Sequence, residues 1–333
     1  MLHRFQKAQP TVAAVHVNAA LTNISVAFIQ ESTDFIADRV FPVVPVNKQA
    51  DAYFIYDRAD WFRTEAKRRA PGTESAGSGW DQTTDTYFAH KYAIHKDVSD
   101  DIRANSDIAL SVDSDATSFV TQQCMLIREI TWAASYFVTG IWTAEVTGVA
   151  AAPGAGQFLQ WDAAGSTPIT DIRTAMFAMK ELTGFMPNKL TIGPNVWSIL
   201  QDHPDFLGRV NSGQVPGGPA VVNRATLAAV LELDEVLIAW GVQNTAIEPG
   251  ETNTFIAGNN ALLTWSPPSP SLLVPSAGYT FAWTGLLGAG AFGNRIKRFR
   301  MEPIESDRIE CELAFDTKVV SADLGSFLLD AVA

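Results

Sequence analysis

Over residues 111–143 the apolar positions recur at steps of three and four. Ala116, Val120, Cys124, Ile127, Thr131, Ala134, Val138 and Ile141 draw one stripe, and Phe119, Leu126, Ile130, Ala133 and Phe137 draw a second beside it. The spacing predicts one long helix. Ser111 or Asp113 is placed to cap its start, and Asp113 and Asp115 put negative charge at the positive end of its dipole. No proline interrupts the run, and Gly140 falls in its last turns. Some thirty residues at ~1.5 Å each give a rod of roughly 45 Å. So wide an apolar face has to lie against something broad, which makes this helix a structural spine. Arg128, Glu129, Gln122 and Gln123 break the apolar run that a bilayer would require.

The rest of the chain falls into blocks around that rod. Residues 1–46 read as an arm, with a candidate helix over 32–40 followed by FPVVPV, which Pro42 and Pro45 keep extended. Residues 47–98 read as a long two-stranded ribbon, with strands over 52–57 and 84–96. Between those strands lie Trp61, Phe62 and Arg63, the basic cluster Lys67, Arg68 and Arg69, and a Gly- and Ser-rich tip ending at Trp80. An isolated ribbon is marginal in water, so it should lie on another surface such as that of a neighbouring subunit. These seven residues are therefore the candidate inter-subunit contacts. Glu65, Glu74, Asp81 and Asp85, interleaved with the basic residues, favour a protein partner over nucleic acid.

After a turn-rich boundary at 148–165 the pattern becomes compact α/β. A helix is expected from Pro168 to a stop at Gly184, then a buried strand LTIGP and a helix capped by Asn195 that runs through His203 to Pro204. A helix over Arg224–Leu231 follows, with strands over 235–240, 261–265 and 279–283. The proline-rich loop SPPSPSLLVPSAG suits a surface or a junction. The final stretch alternates as two strands. In the second, Ile309, Cys311, Leu313 and Phe315 face one side and Glu310, Glu312 and Ala314 the other. The spine is the obvious cover for the apolar side, which would join the two ends of the chain into one domain and make 151–290 an insertion.

Candidate chemistry adds little. Metalloprotease, nucleophile-elbow and P-loop patterns are absent from the sequence. Gly288, Gly290 and Gly293 match a dinucleotide fingerprint, but the charged, alternating RIKRFR follows where a helix is needed, so linker glycine is the better explanation. His90 and His95 lie five apart on a strand and point to opposite faces. His203 precedes a proline and caps or ends its helix. No cofactor or metal site is expected, and no enzyme is signposted. Cys124 and Cys311, far apart and without metal spacing, read as two buried thiols in a reducing compartment. A formal charge of −12 argues against a protein that grips nucleic acid over its whole surface.

The order of parts (arm, long ribbon, spine helix, inserted α/β domain, returning β-ribbon) resembles the major capsid proteins of tailed bacteriophages. KYAIHKDVSDDIRANS, LTGFMPNKLTIGPNVWSILQDHPDF and PSPSLLVPSAGYTFAW are similar to their local wording. The resemblance implies an α+β fold of the Hong Kong 97-type, with an N-terminal arm 1–46 and an extended loop 47–98. It further implies a peripheral domain 99–150 and 291–333 holding the spine, and an axial domain 151–290. The implied function is a shell subunit that assembles as pentamers and hexamers into an icosahedral virion head, built in the host cytoplasm around double-stranded DNA. An acidic balance suits a shell that holds DNA without sticking to it. No long charged helical segment precedes the arm, so a separate scaffolding protein is expected, with a portal and a decoration protein as further partners. Lys67 and Asn294 supply the residue types of a crosslink that some relatives make, although nothing in the sequence aligns them. The rival readings are an encapsulin-type nanocompartment shell and a soluble α/β enzyme.

Overall fold

In the computed structural model, which describes residues 30–106, 111–212, 222–270, 274–287 and 294–333, the spine helix runs Val112–Tyr136. It stops seven residues short of the expected end. Gly140 sits at φ +87° and makes a turn rather than continuing the helix. Glu145 drives that turn, its carboxylate accepting the backbone N–H groups of Gly140, Ile141 and Trp142 at 2.8, 3.1 and 3.1 Å. The Trp142 indole then donates to the Tyr136 carbonyl at 2.9 Å, satisfying an acceptor that the helix end leaves open. At the other end Ser111 holds the N-cap position without a side-chain bond, so neither proposed cap acts as one. Asp113 instead accepts from Arg103 at 2.9 Å.

The buried face begins as expected with Ala116, Val120 and Cys124, then passes to Arg128, Glu129, Trp132 and Ala133, while Ala134, Val138 and Ile141 are exposed. The face turns because its cover changes along the rod. The first half lies on a sheet, and the second half meets the segment around Phe41 and a second sheet.

Upstream of the spine, the helix expected over 32–40 divides into a 3-10 turn, Ser32–Asp34, and one helical turn, Ala37–Val40. FPVVPV is extended and forms β1 (Val43–Val46), an edge strand on which Pro45 forfeits no needed ladder bond. The ribbon is β2 (Ala50–Tyr56) against β3 (Gln82–Phe88), antiparallel. The expected second strand breaks at the fully buried Ala89. Beyond it β4 (His90–Ser99) leaves the ribbon and joins a larger sheet. On β4 an unbroken ladder puts His90 and His95 on opposite faces, as expected.

After the spine come β5 (Ala144–Val149), β6 (Gln157–Leu159), β7 (Lys189–Ile192) and β8 (Glu235–Ile238). A small hairpin, β9 (Val242–Asn244) and β10 (Asn253–Phe255), precedes β11 (Ala261–Thr264) and β12 (Gly278–Trp283). The chain closes with β13 (Asn294–Met301), β14 (Ser306–Val319) and β15 (Gly325–Leu329).

Two sheets organise these strands. In the five-stranded sheet the long β14 is central, with β4 along one edge and β13, then β12, along the other; β1 lies outside β12. The spine covers it, packing Ala116, Val120 and Cys124 on Ile309, Cys311, Leu313 and Phe315. Glu312 and Ala314, expected on an open face, are buried as well. The six-stranded sheet has the order β6-β5-β15-β11-β7-β8. Val236, Ile238, Ala261, Leu263 and Leu328 point from it to a core shared with the helices Pro168–Thr183, Pro194–Asp202 and Arg224–Leu231. The alternating Leu237, Leu262 and Phe327 join the other core, with Phe41, Trp132, Phe137 and Trp142.

Strand pairing crosses the expected limits of the insertion. β12 lies in the sheet covered by the spine, while β5 and the C-terminal β15 lie in the six-stranded sheet. The proline-rich loop between β11 and β12 is the junction between the two. The Gly184 stop is as expected, at φ +77°. Asn195 is not the cap of its helix. Gly193 holds that position with Pro194 at the first turn, and Asn195 bonds Asn259 at 2.7 Å. The glycine pattern at 288–293 and most of the arm lie outside the described residues.

Candidate subunit interface

The ribbon has two faces with different fates. Tyr53 and Tyr87 stack on Phe281 of β12, at 5.5 and 4.5 Å between ring centroids, so one face rests on the chain's own sheet. Phe54 and Tyr56, one step out of phase on β2, point away and are exposed. These two are not among the contacts expected from the sequence. Their signal was the aromatic pair Tyr53 and Phe54, which marks a two-sided ribbon with both faces apolar.

At the tip, Asp57 caps the single turn Arg58–Phe62 by accepting from Ala59 N at 2.8 Å. The Asp60 carboxylate accepts from Asp81 N at 2.8 Å, and Asp57 N donates to the Asp81 carbonyl at 3.2 Å, so the two ends of the tip are tied together. This places Trp61 beside Trp80, 6.2 Å between centroids, with Tyr56 6.4 Å from Trp61. Both tryptophans are open to solvent, at 61% and 62%. A connected apolar patch of this kind is a candidate interaction surface. Phe62 departs from the group. Its ring sits against Gly184, 3.1 Å from where a Cβ there would lie.

The two basic segments also differ. Arg295 and Lys297 converge with Lys91 on the buried Glu312, at 2.6, 2.7 and 2.5 Å. Burial works to raise the Glu312 pKa, yet the hydrogen bonds from Lys297, Lys91 and Arg295 outweigh it and hold the carboxyl at about 2. Arg298 pairs with Asp307 and Asp113, and Arg300 with Asp100. The carboxylates met by this segment lie in its own chain. Arg63, Lys67, Arg68 and Arg69 are exposed and make no ion pair among the described residues. Arg69 donates to the Thr73 carbonyl, which shapes the turn at 70–73.

One buried pair has the look of catalytic machinery. Ser166 Oγ lies 3.0 Å from His203 Nε2. His203 Nδ1 accepts the Asp205 backbone N–H at 3.1 Å, which places the ring proton on Nε2. Nε2 then donates to Ser166, and Ser166 donates onward to the Ala163 carbonyl at 2.8 Å. A base needs a free lone pair facing the hydroxyl, and this tautomer has none there. The pair is a latch that ends one helix and caps the next. Among the described residues no group of three or more His, Cys, Asp or Glu is arranged to hold a metal ion, and no helix is long and apolar enough to cross a membrane.

A spine crossing two sheets, with a ribbon reaching outward, is the fold of the tailed-phage capsid shells, of the Hong Kong type anticipated above. The major capsid protein of Pseudomonas phage JBD67 is 24% identical over 324 residues, covering 95% of this chain and 97% of that protein. A phage-related protein of Bordetella bronchiseptica RB50 matches at a TM-score of 0.66 and 20% identity, over 91% of this chain and 93% of its own. The capsid of cyanophage P-SCSP1u matches at 0.58 and 13%, over 92% and 90%. The SrpI encapsulin of Synechococcus elongatus PCC 7942 matches at 0.54 and 13%, over 98% of both. No family model matches the chain.

Proposed function

We propose that this chain is the major capsid protein of a tailed phage, packed as pentamers and hexamers into an icosahedral head around double-stranded DNA. The observation that carries the reading is the end-to-end similarity to a phage major capsid protein, over 95% of one chain and 97% of the other. The ribbon tip supports it from the physical side, since Trp61 and Trp80 leave apolar surface open to solvent and Lys67 and Arg68 make no ion pair among the described residues. In this reading the spine with its five-stranded sheet is the peripheral domain and the six-stranded sheet with its helices is the axial domain. The tip lies on a neighbouring subunit, where its cations meet carboxylates. Scaffolding, portal and decoration proteins are the further partners, and the role is structural rather than enzymatic.

A nanocompartment shell is the second reading, favoured by the encapsulin match that spans the chain from end to end. Negative-stain microscopy and sedimentation of the purified protein separate the readings. Closed shells that package DNA when a portal and packaging motor are supplied are expected. Shells that instead enclose a protein cargo would support the nanocompartment. A compact monomer persisting at high concentration under assembly conditions would overturn both.

A further inference from the structure

Cys124 lies in the middle of the spine and Cys311 in the middle of β14, more than half the chain apart in sequence. They are the chain's two cysteines, and the fold packs both into the one buried cluster where the spine covers β14. Both are free and buried, at 6% and 2% exposure, in the apolar cluster formed by Val98, Val120, Ile309 and Leu313. We propose that Cys124 and Cys311 are a latent disulfide site, reduced while the subunit is made and closed by a small peroxide oxidant once outside a reducing compartment.

The surroundings assign the two sulfurs different roles. The Cys124 thiol donates to Cys311, and the Arg128 guanidinium lies nearby; together they hold the Cys311 thiol below its usual range. The same hydrogen bond, with burial, pushes Cys124 up. In this proposal Cys311 is the sulfur that reacts first. As a thiolate it attacks one oxygen of hydrogen peroxide, forming an S–O bond, breaking O–O and releasing hydroxide, which becomes water with the proton Cys311 gave up. The Cys124 sulfur then attacks the Cys311 sulfur, forming S–S and breaking S–O. The Cys124 proton leaves with the departing hydroxide as a second water. Two thiols lose two electrons, and one peroxide gains them as two waters.

The bond would join the spine to the strand it covers, closing a loop of more than half the chain. It would not link subunits, so it is separable from the shell reading and is read equally well on an unassembled subunit. Treatment of the full chain with hydrogen peroxide, then denaturation, alkylation and intact mass measurement, is the test. A mass loss of about 2 Da, no alkylation, a faster monomer band without reductant, and a thermal midpoint raised by about 5 °C and reversed by dithiothreitol are expected. Cys311→Ser should leave Cys124 alkylatable after the same treatment, and Cys124→Ser should leave Cys311 as an oxygen adduct. Two thiols of the wild-type chain still open to alkylation, or oxygen adducts without the 2 Da loss, would overturn the proposal.

Discussion

The Glu129 carboxylate lies 2.9 Å from the backbone nitrogen of Ala37, 92 positions earlier in the chain, and the same oxygen is 2.9 Å from Ile36 N. It thus accepts two of the N–H groups that a helix start leaves open, at the single turn Ala37–Val40. Its neighbour Arg128 bonds Asp38 at 2.6 Å. These adjacent charges, which bar the spine from a bilayer, tie the first described segment of the chain to the spine. Glu129→Ala should orphan both N–H groups and cost about 2–4 kcal/mol in chemical denaturation. Glu129→Gln keeps the acceptor and should cost far less.

The same carboxyl gives a pH dependence with a definite sign. Burial pushes its pKa up to about 7 against the pull of the Ala37 and Ile36 bonds, with Asp38 adding a smaller push. The folded chain therefore keeps a proton that the unfolded chain releases above about 4.5. Stability should fall as pH rises from about 4.5 to 7, by at most about 3 kcal/mol, and stay level above. Denaturation midpoints across that window should flatten in Glu129→Gln, and an unchanged slope would assign the effect elsewhere.

Glu312 acts in the opposite direction. Its carboxyl is 1% exposed and held at about 2 by Lys297, Lys91 and Arg295, so its contribution is present above about 4.5 and lost as pH falls toward 2. Combined with Glu129, this places the greatest stability of the subunit near pH 5. Glu312→Gln should remove the acid limb. It leaves three cations facing one another, with an expected cost of about 3–5 kcal/mol by urea titration.

What was legible in the sequence follows from where each cause lies. The spine was legible because its apolar period is local, as were the Gly184 stop and the helix at Arg224–Leu231. Its end was not, because Glu145 and the Trp142 indole act from beyond it. In the sequence Arg128 and Glu129 show only as breaks in an apolar run, since their partners at 36–38 lie some ninety positions away. The run 84–96 looked like one strand because alternation records a pleat, not a partner; only Ala89, buried to 0%, marks where β14 takes over from β2. The tip residues stood out because Gly and Ser surround them. Their separation, with Phe62 on Gly184 and Trp61 on Trp80, required the fold.

The end of the spine offers a packing test. A Cβ added at Gly325 would fall 2.0 Å from the Trp142 ring, which is buried and bonded to Tyr136. The ring has no room to give way, so Gly325→Ala should destabilise by about 1–3 kcal/mol or more. Trp142→Ala should itself cost about 3–5 kcal/mol by leaving a cavity. In the double mutant the added methyl meets that cavity, so the combined loss should be less than the two single losses together. Additive losses would place the clash elsewhere.

The ribbon tip is the proposed meeting point between subunits. Lys67, Arg68 and Arg69 make no ion pair among the described residues, while the cations of β13 are all engaged with carboxylates of the chain. An exposed pair is worth about 0–1 kcal/mol, but a shell repeats each contact many times, so small terms accumulate. Reversing all three charges should leave the thermal midpoint of the subunit within about 1–2 °C while impairing assembly of empty shells, and raised salt should weaken wild-type assembly in the same direction. Trp61→Ala with Trp80→Ala should act alike through lost apolar contact, again with little change in subunit stability. If the three cations served DNA instead, empty shells would form normally and only the ratio of filled to empty particles would fall. Counting both kinds of particle by electron microscopy separates the two outcomes, and normal assembly of empty shells by the triple reversal would remove these residues from the interface.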